Sequence, residues 1–277
     1  MSKIYKIENN KLLKEKSIII YSDIHYYKNM NLSYLYKELS KLLIDTPNYI
    51  ILSGDIIDGL IPLEELKNLR DYLSKLSKIT KVIAILGNHD IQPDYPTLTI
   101  ENENLDYLNM LRNMPNLILL ENSSYQDNEI YFYGTKYKKS YYLKQEPINS
   151  WLSTVKKIEL PQDTLNIILE HSPNTILNIT NLLKVPALLK TDIIISGHNH
   201  NGCIPSYIDN FIPGSKGLIG AGKSFFPEYA RGKINITPNT VGIICPPITT
   251  FSNEKGIFKL ANIFYPPQNV KLKLLKK

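Results

Sequence analysis

Ser17-Ile18-Ile19-Ile20-Tyr21-Ser22-Asp23-Ile24-His25 is a short apolar run that stops at a turn signal and then sets a carboxylate and an imidazole two residues apart. The pattern recurs. Tyr49 to Leu52 leads into Gly54-Asp55-Ile56-Ile57-Asp58, and Val82 to Leu86 leads into Gly87-Asn88-His89-Asp90. Asn166 to Leu169 precedes His171-Ser172-Pro173, and Asp192 to Ile195 precedes Gly197-His198-Asn199-His200. Short β-branched runs of this kind, closed by turn residues, read as buried strands. All 5 histidines of the chain fall just past their ends. Imidazoles and carboxylates bind borderline transition metals, and candidate ligands on five such segments can hold two ions rather than one.

Between the first two runs, Asn31 to Asp45 carries Leu32, Leu35, Leu39, Leu42 and Leu43 at helical spacing. Between the second and third, Pro62 stands at a first helical position, followed by Leu63, Leu66, Leu69, Leu73 and Leu76. Strand, helix, strand, helix, strand implies parallel pairing through right-handed crossovers. In such sheets ligands collect beyond the carboxyl ends of the strands, where every candidate ligand lies. Leu117 to Leu120 and Ile130 to Tyr133 read as two further strands. Gly242 to Ile248, Ile257 to Phe264 and Val270 to Leu275 are expected to complete a second sheet. No linker, repeat or low-complexity block interrupts the chain, so a single α/β domain over residues 1–277 is expected.

Each motif alone has an ordinary explanation: Gly-Asp marks turns, and Asn or Asp caps helices. The structural reading weakens when all five stand in order, each behind a strand. As a set they resemble the calcineurin-like metallophosphoesterase superfamily, nearest to small bacterial metallophosphoesterases related to lipid-linked nucleotide-sugar pyrophosphatases. The likeness extends from Asp23 to His200. It implies a four-layer α-β-β-α sandwich of two mixed sheets, with two divalent metals, Mn, Fe, Zn or Co, at one edge. Carried over by motif, Asp23, His25 and His200 hold one ion, Asn88, His171 and His198 the other, and Asp55 bridges them. His89 is left to face the leaving group, donating to the departing oxygen or stabilising the equatorial charge, with Asp90 orienting it, while Asp58 holds the loop or a ligand histidine. Ser22, Ser53 and Ser196 read as backbone caps.

The implied activity is hydrolysis of a phosphodiester or pyrophosphate bond by in-line attack of a metal-bridging hydroxide. A phosphomonoesterase, a DNA or RNA nuclease and a non-catalytic scaffold of the same fold stand as alternatives. Gly59 occupies the position where protein Ser/Thr phosphatases carry an arginine, which disfavours that branch. Asn201-Gly202-Cys203 stands where the pyrophosphatase subgroup continues Gly-Gly-Gln.

The net charge of +6 and pI near 9.0 favour anionic partners: a phosphorylated small molecule or nucleotide, nucleic acid, or an acidic membrane surface. Two segments are candidates for the substrate cleft. Tyr125 to Tyr142 interleaves tyrosines with Lys136, Lys138 and Lys139; Pro213 to Arg231 carries Lys216, Lys223 and the pair Phe225-Phe226, which suits peripheral membrane contact. No stretch reaches the roughly 18 consecutive apolar residues of a membrane span. The N-terminus lacks a signal peptide's apolar core, and Cys203 and Cys245 read as free thiols, so a cytoplasmic location is expected.

Overall fold

A computed structural model describes residues 2–59, 61–91, 103–137, 147–177, 185–205, 207–208, 211–212, 214–219, 225–249 and 267–277. The first sheet contains β1 (Ser2–Asn9), β2 (Lys16–Tyr21), β3 (Tyr49–Ser53), β4 (Lys81–Ile85), β5 (Leu117–Leu119) and β12 (Asn269–Lys276). The second contains β6 (Ser123–Asp127), β7 (Ile130–Gly134), β8 (Leu165–Leu169), β9 (Ile193–Ser196), β10 (Gly232–Asn235) and β11 (Val241–Ile244). Their spatial orders are β1-β12-β2-β3-β4-β5 and β10-β11-β9-β8-β7-β6. From β2 to β5 the neighbours are parallel, as are β7, β8, β9 and β11. Antiparallel β12, β10 and β6 make both sheets mixed.

The period-two geometry of a strand explains the unbroken apolar runs. Ile18, Ile20, Ile51, Ile83 and Ile85 point into the interlayer and meet Phe132, Ile167, Leu169, Ile193 and Ile195 of the second sheet. Their neighbours Ile19, Tyr21, Ile50, Leu52, Val82 and Ala84 point outward, under α1 (Ser33–Ile44), α2 (Leu63–Ile79) and α3 (Glu103–Arg112). Ile168, Ile194 and Ile244 do the same on the second sheet, against Trp151 and Val155 of α4 (Pro147–Val155) and Ile176 of α5 (Asn174–Leu177). The result is four layers. Because Tyr21 pairs with Leu52 and Leu52 with Ala84, the strand ends are level, and the loops that follow emerge side by side.

Two expectations change. Residues 269–276 do form a strand, but it enters the first sheet between β1 and β2, where Val270 pairs with Ile20. The expected strand Ile257 to Phe264 lies outside the described residues. Pro62 caps α2 instead of opening it, its carbonyl accepting from the amides of Glu65 and Leu66. Among the described residues no helix is long and apolar enough to cross a membrane.

The interlayer core is the part of this design most sensitive to volume. Ile167→Ala, at a side chain with no solvent exposure, should cost about 2–5 kcal/mol. The expected reading is a lower denaturant midpoint at unchanged slope; an unchanged midpoint would mean that the two sheets do not depend on this packing.

Candidate metal centre

The motif loops are stitched together by main-chain bonds before any side chain is considered. The amides of Asp23 and His25 donate to the carbonyls of Gly54 (3.1 Å) and Asp55 (2.9 Å), and Gly197 N–H donates to His171 O (2.9 Å). Asp23, His25, Asp55, His198 and His200 all have left-handed φ values, from 45° to 66°. Such backbone costs on the order of 1–3 kcal/mol per residue and clusters at functional sites. Close approach also demands glycine. A Cβ on Gly87 would lie 2.1 Å from Asp55 Oδ1, and one on Gly54 2.4 Å from His171 Nδ1.

Three groups of side chains converge at the level strand ends, the third, His25, Asp55 and His89, sharing one member with each of the other two. In the first, Asp23, His25 and His200 aim one atom each at a common point. His25 Nε2 lies 3.2 Å from His200 Nε2, and Asp23 Oδ1 lies 3.4 Å from His200 Nε2 and 3.9 Å from His25 Nε2. Two imidazole nitrogens facing each other beside carboxylates suit a shared cation, to which both can direct lone pairs. In the second group, Asp55, His171 and His198 converge in the same way. His171 Nδ1 donates to Ser53 O at 2.8 Å, which turns Nε2 toward Asp55 Oδ2, 3.1 Å away. Asp55 Oδ2 also lies 3.8 Å from His25 Nε2, so one carboxylate stands between the groups. Asn88 Oδ1 is buried with no hydrogen-bond partner among the described residues. An orphaned amide oxygen of this kind is what a metal ligand leaves when only protein atoms are counted. The donor set fits divalent cation binding.

The charges depend on one another. Burial would raise the Asp23 carboxyl, but His200, His171 and His25 hold it well below the ordinary range. Burial acts the same way on Asp55, and His171 and His25 overcome it, bringing the group to about 2. His171 resists burial because of Asp55 and rises to about 10. His198, lowered by burial and then by His171, falls to about 4. A cation entering the second group must displace the His171 proton, so affinity there increases with pH.

His89, a member of the third group, has its ring edge-to-face with that of His25 at 4.7 Å and its side chain about a third exposed, 34%. The carboxylate expected to orient it was Asp90; the one that reaches it is Asp58, whose Oδ1 lies 2.9 Å from His89 Nδ1 and 3.6 Å from His25 Nδ1. Asp90 turns the other way. It is fully buried and accepts from the amides of Ile56, Ile57 and Gly87 and from the Tyr107 hydroxyl, clamping two motif loops together. Burial, with Asp55 nearby, raises its carboxyl to about 6.

Other supports were not singled out in the sequence. Tyr107 comes from α3, and Glu170, immediately before His171, accepts from Tyr137 O–H (2.8 Å) and Thr175 N–H (3.0 Å). Only adjacency to a motif pointed to Glu170, and nothing local pointed to Tyr107. The Ser22 hydroxyl donates to Asp23 Oδ2. The hydroxyls of Ser53 and Ser196, expected as caps, have no partner among the described residues, and their carbonyls do the work instead, receiving His171 Nδ1 and Cys245 N. The described part of the Tyr125 to Tyr142 segment is built into the sheet rather than into a cleft beside the metals. Tyr137 is core, Tyr131 donates to Glu159 O, and Lys136 pairs with Glu121. Lys138, Lys139, Tyr141 and Tyr142 lie outside the described residues.

Residues 16–202 match the family described as calcineurin-like phosphoesterase. An uncharacterized metallophosphoesterase of Campylobacter jejuni is 27% identical over 201 residues, which cover 72% of this chain and 47% of the relative. The chain thus spans about half the length of the curated relative it matches. Among solved structures, a purple acid phosphatase from yellow lupin seeds aligns with a TM-score of 0.47 at 13% identity, over 85% of this chain and 44% of that one. A dimetal phosphatase from Danio rerio aligns at 0.43 and 11% identity, over 84% and 87%.

Gly87→Ala tests the close packing behind the centre. Its new methyl must displace Asp55 Oδ1, so the folded variant should hold fewer equivalents of Mn2+ than the parent by elemental analysis. Full occupancy would show that the carboxylate can shift without loss.

Proposed function

Since the chain belongs to the calcineurin-like phosphoesterase family, we propose that it is a dinuclear metal-dependent phosphoric-ester hydrolase acting on phosphodiester or pyrophosphate bonds. The observation that carries this reading is the Asp55 carboxylate standing between two imidazole-rich groups, 3.8 Å from His25 Nε2 and 3.1 Å from His171 Nε2. One ion is assigned to Asp23, His25 and His200, the other to Asn88, His171 and His198, with Asp55 shared. When bound, two divalent cations supply Lewis acidity, lowering the pKa of a water nucleophile and neutralising phosphoryl oxygens. Nitrogen and oxygen donors suit Mn, Fe, Zn or Co.

The protein's own residues do the rest. Asp23 and Asp55, kept ionised by the surrounding imidazoles, supply the negative charge that fixes the cations. His89 is assigned as the proton donor to the departing oxygen as the P–O bond breaks. Asp58 holds it by Nδ1 and, with Asp55, raises its pKa against the effect of burial, which favours the protonated ring that a proton donor needs. The new bond forms between water oxygen and phosphorus in line with the breaking one, with no covalent enzyme intermediate.

The diester preference is supported at Gly59. Its φ is 78° and a Cβ there would meet nothing within 4 Å, so the position offers open space where a phosphoprotein phosphatase would carry a guanidinium. Two free cysteines suit a reducing compartment.

Metal-stripped protein restored with Mn2+ should cleave bis-p-nitrophenyl phosphate faster than p-nitrophenyl phosphate, and Asp55→Asn should abolish both. Faster monoester cleavage would instead assign a phosphatase, and cleavage of single-stranded DNA a nuclease. A second variant tests the proton donor. His89→Asn should keep both metal equivalents yet lose turnover by about 10²–10⁴-fold; an empty metal position in that variant would make His89 a ligand.

A further inference from the structure

The third group of side chains, His25, Asp55 and His89, receives no ion of its own in the two-cation assignment, and it contains the assigned proton donor. One donor atom from each member lies within 4.8 Å of the other two, the same convergence that the first and second groups show. His25 Nε2 and Asp55 Oδ2 are 3.8 Å apart, against 3.9 Å between His25 Nε2 and Asp23 Oδ1 in the first group. Donors held about 2.1 Å from a tetrahedral cation stand roughly 3.4 Å from one another, so either pair can close on an ion with a small movement. The backbone fixes the remaining side of the triangle, because His89 N–H donates to Asp55 Oδ1 at 2.8 Å.

The carboxylate behind the group prepares His89 to ligate. Asp58 Oδ1 lies 2.9 Å from His89 Nδ1 and 3.6 Å from His25 Nδ1, so a single carboxylate faces the Nδ1 side of both rings. A histidine that binds a metal characteristically keeps its other ring nitrogen on a carboxylate or carbonyl, which fixes the tautomer and makes the ligating nitrogen more basic. His171 is held in that way by the Ser53 carbonyl, at 2.8 Å from Nδ1. His89 is therefore oriented as a ligand is, and what separates it from His171 is access: its side chain is 34% exposed, whereas that of His171 is fully buried. A cation can reach His89 directly from solvent.

We propose that a divalent cation in excess of the catalytic pair occupies the third group and inhibits the enzyme by taking His89 as a ligand. A ring nitrogen whose lone pair is bound to a cation carries no proton, so the departing oxygen receives none from it. The ion also competes for His25, since one Nε2 lone pair serves one cation and the third position must draw it away from Asp23 and His200. The third position is accordingly the weakest of the three. Cations that favour imidazole fill it most readily, Zn2+ ahead of Mn2+. The inhibitory effect rests on the hydrolase reading; the binding does not.

The chain has 5 histidines, few enough to follow one by one through the NMR resonances of their ring nitrogens. When metal-stripped full-length protein is titrated with Zn2+, the signals of His25, His171, His198 and His200 should move first. His89 Nε2 should reach the metal-bound range only at excess Zn2+. Over that later range hydrolysis of bis-p-nitrophenyl phosphate should fall by about 10²-fold or more, recover on mild chelation, and fall less with excess Mn2+. In equilibrium dialysis His89→Ala should lack the late, weak uptake of Zn2+ while keeping the earlier, tight uptake. A His89 signal that stays in place while the other four move would overturn the proposal, as would late uptake retained by His89→Ala. Movement of His89 without any slowing of hydrolysis would overturn the inhibitory role. If Mn2+ restores no phosphoester hydrolysis at all, the hydrolase reading falls, and the late movement of His89 still decides whether this cation position exists.

Discussion

The centre is governed by the cost of burying two carboxylates at one point. Asp23 and Asp55 are shut away from water, where an isolated anion is expensive, and each is kept ionised by imidazoles packed against it, helped by the His198 amide on Asp23 and the His89 amide on Asp55. Those imidazoles also compete. His171 and His198 lie with ring centroids 5.1 Å apart, and the protein resolves the conflict by charging one and neutralising the other. On the hydrolase reading a divalent cation in each group would resolve it more fully, because lone pairs and carboxylates would then share a common positive partner. The left-handed backbone of five of these residues and the glycines behind them follow from that demand: the groups must come closer than side chains on ordinary strands allow.

Such crowding needs a scaffold that does not yield. The interlayer core of isoleucines and leucines fixes the two sheets, and the pairing of Tyr21 with Leu52 and of Leu169 with Ile195 brings their parallel strands to level ends. Asp90 extends this rigidity into the loops by taking three amides from two motif segments. A carboxylate spent in this way cannot also orient His89, and Asp58 does so from the opposite loop.

What the sequence revealed, and what it hid, follows from locality. The parallel strands were legible because both faces of each are covered, which leaves runs with no polar interruption. β1 was not, because it is an edge strand whose exposed and half-buried residues alternate as Lys3, Ile4, Tyr5 and Lys6. The place of β12 in the first sheet is a long-range pairing that its own composition cannot encode. The metal-ligand candidates were legible as a set because each follows a strand. The partner of His89 was misjudged because adjacency in sequence suggested Asp90, whereas consecutive residues in a tight loop point apart. Tyr107 reaches Asp90 from a helix that begins more than a dozen residues later, and no local pattern announces it.

Exposure across the centre gives it a direction. Asp23, Asp55 and His171 side chains are at most 2% exposed and His25 11%, whereas His200 and His89 are 30% and 34% exposed. The buried side is closed by the sheet ends, so on the hydrolase reading a phosphoester must approach from the side where His89 and His200 are wetted. Asp58, which braces His89, is partly exposed there too.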